Sequence, residues 1–357
     1  MRVTDAIRSL GPALQIAAFR SGIMETVGHL IGNCGAVMLM YHSVAPRADA
    51  IFIDPANHVS SRAFIRQMRW LASERRVISM ATLVGYLLER RPVPAGSVIL
   101  TFDDGYLDTL TTAAPVLESY GLPATVFLPT GYIDRGENQW IDQAYGIFLH
   151  RSRSVLKWPN DSHQVFRMDD PGERFQAYTR VCADLLKRSG ETRRRLLEDL
   201  SCQLHPTVPA PRLTMTWSDV NTLVSRYTCF ALGAHSVEHV DLSGLSEAAV
   251  RSEVRESHDQ VLAETGLSPR YFSYPYGRSS PVVRRIVRDQ GFLAACQASS
   301  IDVAIGAGSD PHWLPRIDAP RSHLRFDLVL SASNTGVLRK LGATRARQTF
   351  SVHRVAS

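Results

Sequence analysis

Three short stretches of this chain concentrate residues that could do chemistry. Thr101-Phe-Asp-Asp-Gly105 sets two adjacent carboxylates behind an apolar run. Such a pair at the end of a buried strand is costly unless a cation offsets it. Neighbouring side chains at a strand end diverge, so one Asp can hold a metal while the other faces a water. Taken alone, Asp-Asp-Gly is equally ordinary turn chemistry. His235-Ser-Val-Glu-His239 spaces two imidazoles at i and i+4. That spacing puts both on one face of a helical turn, where they can share an ion; two polar loop histidines are the plain alternative. Two imidazoles and one carboxylate make an open catalytic zinc site, three protein ligands plus water. In Phe272-Ser-Tyr-Pro-Tyr-Gly277 the Pro fixes the chain and the Gly permits a turn. A turn of that kind leaves backbone N–H groups to meet an oxyanion.

These stretches need elements to position them. Ala36–Tyr41, Ser97–Phe102, Ala124–Leu128, Phe230–Ala234, Tyr271–Tyr274 and Phe292–Cys296 read as buried strands. Helices are expected over Ser60–Glu74 (Ser61 as cap), Met80–Glu89, Leu107–Tyr120, Trp217–Arg226, Ser246–Thr265 and Pro281–Gln290. Alternating strands and helices imply a parallel α/β arrangement, in which chemistry gathers at the C-terminal strand ends. All three stretches follow predicted strands. Between residues 131 and 213 the rhythm breaks into helix formers, including Arg193-Arg194-Arg195, which reads as a solvated face beside Glu191, Glu198 and Asp199. The organisation expected is an amphipathic helical segment (1–35), a first barrel part (36–130), a helical insertion (131–213), a second barrel part (214–330) and a basic tail (331–357).

The chain has 357 residues, 45% of them hydrophobic and 21% charged, which excludes wholesale disorder. Lys and Arg exceed Asp and Glu by 6, and the stretch from Arg316 to Ser357 accounts for all of that excess with eight basic and two acidic residues. The body is neutral, and its chemistry needs no anionic substrate. The tail lacks interleaved aromatics, so no nucleic-acid partner is expected; a solvated terminus and an anchor to anionic lipid are the two readings of it. The cysteines, Cys34, Cys182, Cys202, Cys229 and Cys296, are odd in number and widely spaced, as suits scattered buried thiols in a reducing compartment. No run of 18 apolar residues occurs, and Leu10–Phe19 lacks a clean cleavage site behind it. The cytoplasm is the expected location, with peripheral association at the inner membrane surface as the alternative. Oligomeric state is not legible.

The order TFDDG, HSVEH, YPYG resembles the polysaccharide deacetylase (NodB-homology, carbohydrate esterase) family. The resemblance takes in Met40-Tyr-His-Ser-Val44, Ala124-Thr-Val-Phe127 and Leu314-Pro-Arg-Ile317, and so runs from about Val37 to Leu330. It implies a distorted (β/α)7-type barrel and removal of acetyl groups from an N-acetylated amino-sugar glycan: an exopolysaccharide, a chitooligosaccharide or a lipid-linked glycan. Asp103 would be the general base. Asp104, His235 and His239 would hold a divalent ion, Zn²⁺ first, Co²⁺ or Ni²⁺ otherwise. The N–H of Tyr276 would help bind the oxyanion. Many relatives carry Arg two residues before the Pro of the third motif, where Ser273 stands here; Arg316 is the candidate replacement. The late Leu-x-His source of the general acid is absent in clean form, leaving His42, His312 and His323, with His42 favoured by position. An O-acetyl esterase, another amidohydrolase on the same fold, or a non-catalytic glycan-binding relative are the alternatives.

Overall fold

The computed structural model describes residues 35–46, 49–158, 164–188, 190–298, 304–321 and 326. The amphipathic segment ahead of residue 35, Cys34, His323 and the basic tail lie outside the described residues. Among the described residues there are ten strands: β1 (Val37–Tyr41), β2 (Arg76–Val77), β3 (Ser97–Phe102), β4 (Ala124–Leu128), β5 (Val155–Lys157), β6 (Val165–Arg167), β7 (Phe230–Ala234), β8 (Tyr271–Ser273), β9 (Ala294–Ala298) and β10 (Leu314–Asp318). Seven of them form a closed parallel ring in the order β1-β10-β9-β8-β7-β4-β3, and β1 closes it by pairing with β3 as well as β10. β2 is a two-residue spur on the start of β3. The ring is the (β/α)7-type barrel. β1, β3 and β4 are buried at every position, as their unbroken apolar runs require of strands covered on both faces.

Ten α-helices accompany the strands among the described residues: α1 (Ser61–Glu74), α2 (Met80–Leu88), α3 (Ala114–Ser119), α4 (Thr130–Arg135), α5 (Trp140–Leu149), α6 (Pro171–Leu186), α7 (Gly190–Leu204), α8 (Trp217–Arg226), α9 (Glu247–Thr265) and α10 (Pro281–Asp289). Several differ from expectation. The cap of α1 is Ser60, not Ser61: the Ser60 hydroxyl accepts from Ala63 N–H. The helix expected over 107–120 is a π-helical turn (Thr109–Ala113) continuing into α3. Pro115, inside it, has no N–H for the regular ladder. The ninth strand starts two residues later than expected, and β10 was not anticipated as a strand.

Between β4 and β7 lie α4 to α8 and the antiparallel hairpin β5–β6. α5, α6, α7 and the hairpin share their own apolar cluster, with Trp140, Phe148, Trp158, Phe166, Tyr178 and Leu200 among its buried members. Tyr276, from the third motif, packs against that cluster, so the insertion sits over the C-terminal end of the barrel. Cys182 and Cys296 are buried free thiols, as expected; Cys202 is exposed, because α7 turns that face to solvent.

Candidate active site

Asp103 and Asp104 leave β3 in different directions because the backbone breaks between them. Asp103 stays in the ladder, its N–H donating to Tyr41 O at 2.9 Å. Asp104 (φ 69°) and Gly105 (φ 62°) are left-handed, a region Asp tolerates better than most residues. The two carboxyls then acquire different neighbours.

Asp103 faces Arg316 of β10. Arg316 Nη1 and Nη2 donate to its Oδ1 and Oδ2, each at 2.7 Å. The remaining guanidinium protons go to Thr101 Oγ1 (3.2 Å), Ser273 Oγ (2.7 Å) and Gln297 O (3.4 Å), so all five have acceptors. The group lies over the Phe127 ring, with only 1% of Arg316 exposed. Ser273 also donates to Asp103 Oδ2 at 3.1 Å. Burial alone would raise the pKa of Asp103; the Arg316 charge, then His235, outweigh it and hold the carboxyl well below the usual range.

Asp104 faces the histidines. Its Oδ1 lies 3.2 Å from His239 Nε2 and 3.7 Å from His235 Nε2, and its Oδ2 lies 4.0 Å from His42 Nε2. Ligand atoms of Asp104, His235 and His239 all fall within 4.8 Å of one another, and all three residues are buried. His235 Nδ1 meets Ser273 O at 2.7 Å. A carbonyl only accepts, so Nδ1 carries the proton and Nε2 presents its lone pair. Burial pushes His235 down to about 4 and also holds His239 well below its ordinary value, the charges of His235 and Arg193 adding to the second shift. Burial, then Asp103 and Asp142, push Asp104 up. Neutral imidazoles and a carboxylate converging without enough donors between them fit a divalent cation.

One expectation fails in geometry. His235–His239 is not a helical turn: Ser236 (φ 60°) and His239 (φ 47°) are left-handed. The imidazoles still converge, rings 4.7 Å apart, because the loop folds back on itself rather than winding forward. In the third motif Tyr276 is left-handed (φ 57°). At Gly277 (φ 65°) a Cβ would come within 2.4 Å of Ala298 N, so only glycine lets this turn close on the end of β9.

Of the three histidines considered as acid, His42 lies at the cluster. His312 sits in the turn ahead of β10, at the opposite end of the barrel, its Nε2 paired with Phe292 O at 2.8 Å. The structure brings together Asp103, Asp104, His235, His239, His42 and Arg316, with the Tyr276 turn beside them. Sequence reasoning gave Thr101 no role within its motif and missed Trp140 altogether. It also read Arg193 as solvated, whereas the side chain is buried at 2% exposure beneath the insertion, leaving Arg195 as the exposed member of that run. α7's own periodicity could have revealed this, since Arg193, Leu197, Leu200 and Leu204 share one face.

A sequence profile of the polysaccharide deacetylase family matches residues 90–203 and 208–295. YxkH of Bacillus subtilis (strain 168), a polysaccharide deacetylase by name, is 32% identical over 92 residues, 26% of this chain and 30% of that protein. The poly-beta-1,6-N-acetyl-D-glucosamine N-deacetylase of Escherichia coli (strain K12) is 31% identical over 110 residues, 30% of this chain and 15% of that protein. The matches thus span less than a third of either relative. Among solved structures, the Streptococcus pyogenes deacetylase PplD in complex with acetate superposes with a TM-score of 0.55 at 16% identity, covering 83% of this chain and 97% of that one. IcaB from Ammonifex degensii gives 0.53 at 19% identity, covering 85% and 97%. At such identities the likeness speaks for the fold. The profile match extends over more than half of the sequence and includes both the carboxylate pair and the histidine pair, and on that ground the chain belongs to the polysaccharide deacetylase family.

Proposed function

We propose that this protein removes acetyl groups from the N-acetylated amino sugars of a glycan, with one divalent ion held by Asp104, His235 and His239. The observation that carries the reading is the pairing of two unlike carboxylates. One is locked on an arginine and the other faces two neutral imidazoles, 3.2 and 3.7 Å away. Zinc suits two imidazoles and a carboxylate, and cobalt or nickel would fit the same donors. An ion there would polarise the acyl carbonyl and acidify a water, which suits a base as weak as Asp103.

Asp103 accepts the proton of the attacking water. Its fork with Arg316 keeps it ionised and fixed, which also fixes the face from which the carbonyl carbon is attacked. The Tyr276 N–H donates to the oxyanion as the carbon becomes tetrahedral. His42 protonates the departing nitrogen; the C–N bond breaks and acetate and a free amine result. The His42 side chain is 21% exposed, so it exchanges protons with solvent between turnovers. The name of the Escherichia coli relative supports a poly-N-acetylglucosamine strand as the first glycan to try. Chitooligosaccharides and lipid-linked glycans complete the panel.

The test is acetate release from that panel with added Zn²⁺ or Co²⁺, comparing the wild type with Asp103→Asn and His235→Ala. Release that both changes abolish is expected. No release from any N-acetylated glycan, with release from O-acetylated ones instead, would move the reading to an esterase.

A further inference from the structure

The loop from His235 to His239 carries two of the three candidate ligands in a backbone shape that two of its residues disfavour, Ser236 at φ 60° and His239 at φ 47°. Its surroundings over-determine that shape. Ser236 O accepts from Thr130 N–H (3.1 Å) and Val237 O from Gly131 N–H (3.0 Å). The N–H groups of Val237 and Glu238 both donate to Glu253 Oε2, at 2.8 and 3.0 Å. The last two carbonyls meet the helical insertion and the third motif. Glu238 O accepts from Arg193 Nη1 at 3.3 Å, and His239 O accepts from Tyr276 Oη at 2.9 Å and from Arg193 Nη1 at 3.5 Å.

Arg193 is itself anchored. Its Nε donates to Leu185 O at 3.1 Å and its Nη1 to Tyr132 Oη at 3.2 Å, and the guanidinium lies 5.4 Å from the Trp140 ring centroid. Trp140 Nε1 donates to the same Tyr276 hydroxyl at 2.9 Å. Arg193, Trp140 and Tyr276 therefore form one cluster, from which Arg193 Nη1 and the Tyr276 hydroxyl reach the backbone of the ligand loop while Leu185 O, Arg188 O and Tyr132 Oη hold the rest of the guanidinium. A buried guanidinium directed at neutral carbonyls is a costly way to fill space, which an aliphatic side chain would do better.

The geometry points to Arg193, seconded by Trp140 and the Tyr276 hydroxyl, as a positioning residue for His239: the insertion holds the backbone that sets His239 Nε2 at the ion. This inference rests on the metal reading of Asp104, His235 and His239.

The experiment is equilibrium binding of Co²⁺ to the full chain, with the visible absorption band recorded, for the wild type, Arg193→Met, Arg193→Lys, Tyr276→Phe and the exposed-face control Arg195→Ala. One Co²⁺ per chain is expected for the wild type and the control. In Arg193→Met the dissociation constant should rise by roughly 10- to 100-fold with an altered band, as for other groups that orient a ligand. Arg193→Lys should recover part of the loss, and Tyr276→Phe should lie between. A folded Arg193→Met with wild-type affinity and band overturns the inference. Should that variant fail to fold, wild-type affinity and band in both Arg193→Lys and Tyr276→Phe overturn it equally. A wild type that takes up no Co²⁺ sinks the metal reading itself, a failure visible without any variant.

Discussion

Arg316 and Asp103, 213 positions apart in sequence, meet through two parallel 2.7 Å hydrogen bonds inside the barrel. β10 supplies the arginine that the family resemblance led one to expect at Ser273, and Ser273 on β8 hydrogen-bonds both partners. Arg316→Lys keeps the charge but not the fork. Acetate release should fall about 100-fold, the scale of a small misplacement of a reacting group, while ion binding persists. Arg316→Met leaves a buried unpaired carboxylate and should cost about 3–5 kcal/mol in urea unfolding. Wild-type turnover in Arg316→Lys would remove the arginine from the chemistry.

His42 stands apart from the ligands, its Nε2 4.0 Å from Asp104 Oδ2. His42→Gln should keep the ion and the fold yet lower kcat by about 10²–10⁴-fold, the range for loss of a general acid. Wild-type kcat would send the search for the proton donor elsewhere.

Ion removal should register in stability as well as in turnover. A ligand at about 100 times its Kd stabilises the folded chain by about 2.7 kcal/mol. Chelation should lower Tm, added Zn²⁺ should restore it, and Asp104→Asn or His239→Ala should make Tm indifferent to both. A wild-type Tm indifferent to chelator and Zn²⁺ would contradict the assigned ligands.

The pH dependence of stability should carry the mark of Asp142. Burial pushes this carboxyl up to about 7, although it accepts from Tyr106 Oη and, at 2.7 Å, from Asp54 N–H. Unfolded, it titrates near 4. Folding then favours its protonated form, so its stabilisation is complete below about pH 4 and is lost as pH rises through about 7. Asp108, raised to about 6 by burial, acts in the same sense, while His58, lowered to about 4, acts in the opposite one. The difference between wild type and Asp142→Asn isolates the group. Urea midpoints at pH 5 and pH 8 should diverge more in the wild type, and equal divergence would reject the assignment.

Legibility followed burial and locality. β3, β4 and β7 were readable to the residue because a largely apolar run of five or six leaves little choice, β3 and β4 being buried throughout and β7 at all but Ala231. The clusters were readable because each directly follows such a strand. What escaped depends on partners distant in sequence. β10 carries Pro315 and the charged Arg316 and Asp318, and reads as a strand only once β1 and β9 flank it. Arg193 looks solvated beside Arg194 and Arg195 until Trp140 and the His239 carbonyl are placed. The shape of the His235–His239 loop is set by Thr130, Gly131 and Glu253, none of them near it in sequence.

The ladder between β4 and β7 bears on the order of folding. Five residues of each strand pair directly, Ala124 with Phe230 through Leu128 with Ala234, although roughly a hundred residues separate them. Bringing such distant segments together sacrifices chain freedom before contacts compensate, which slows pairing of this kind. The insertion, with an apolar cluster of its own, shortens the effective gap once it has condensed. Asp104 lies beyond β3 on one side of this seam and His235 beyond β7 on the other. Ion uptake during refolding would therefore report formation of this seam, and the candidate site should be among the last parts of the molecule to assemble.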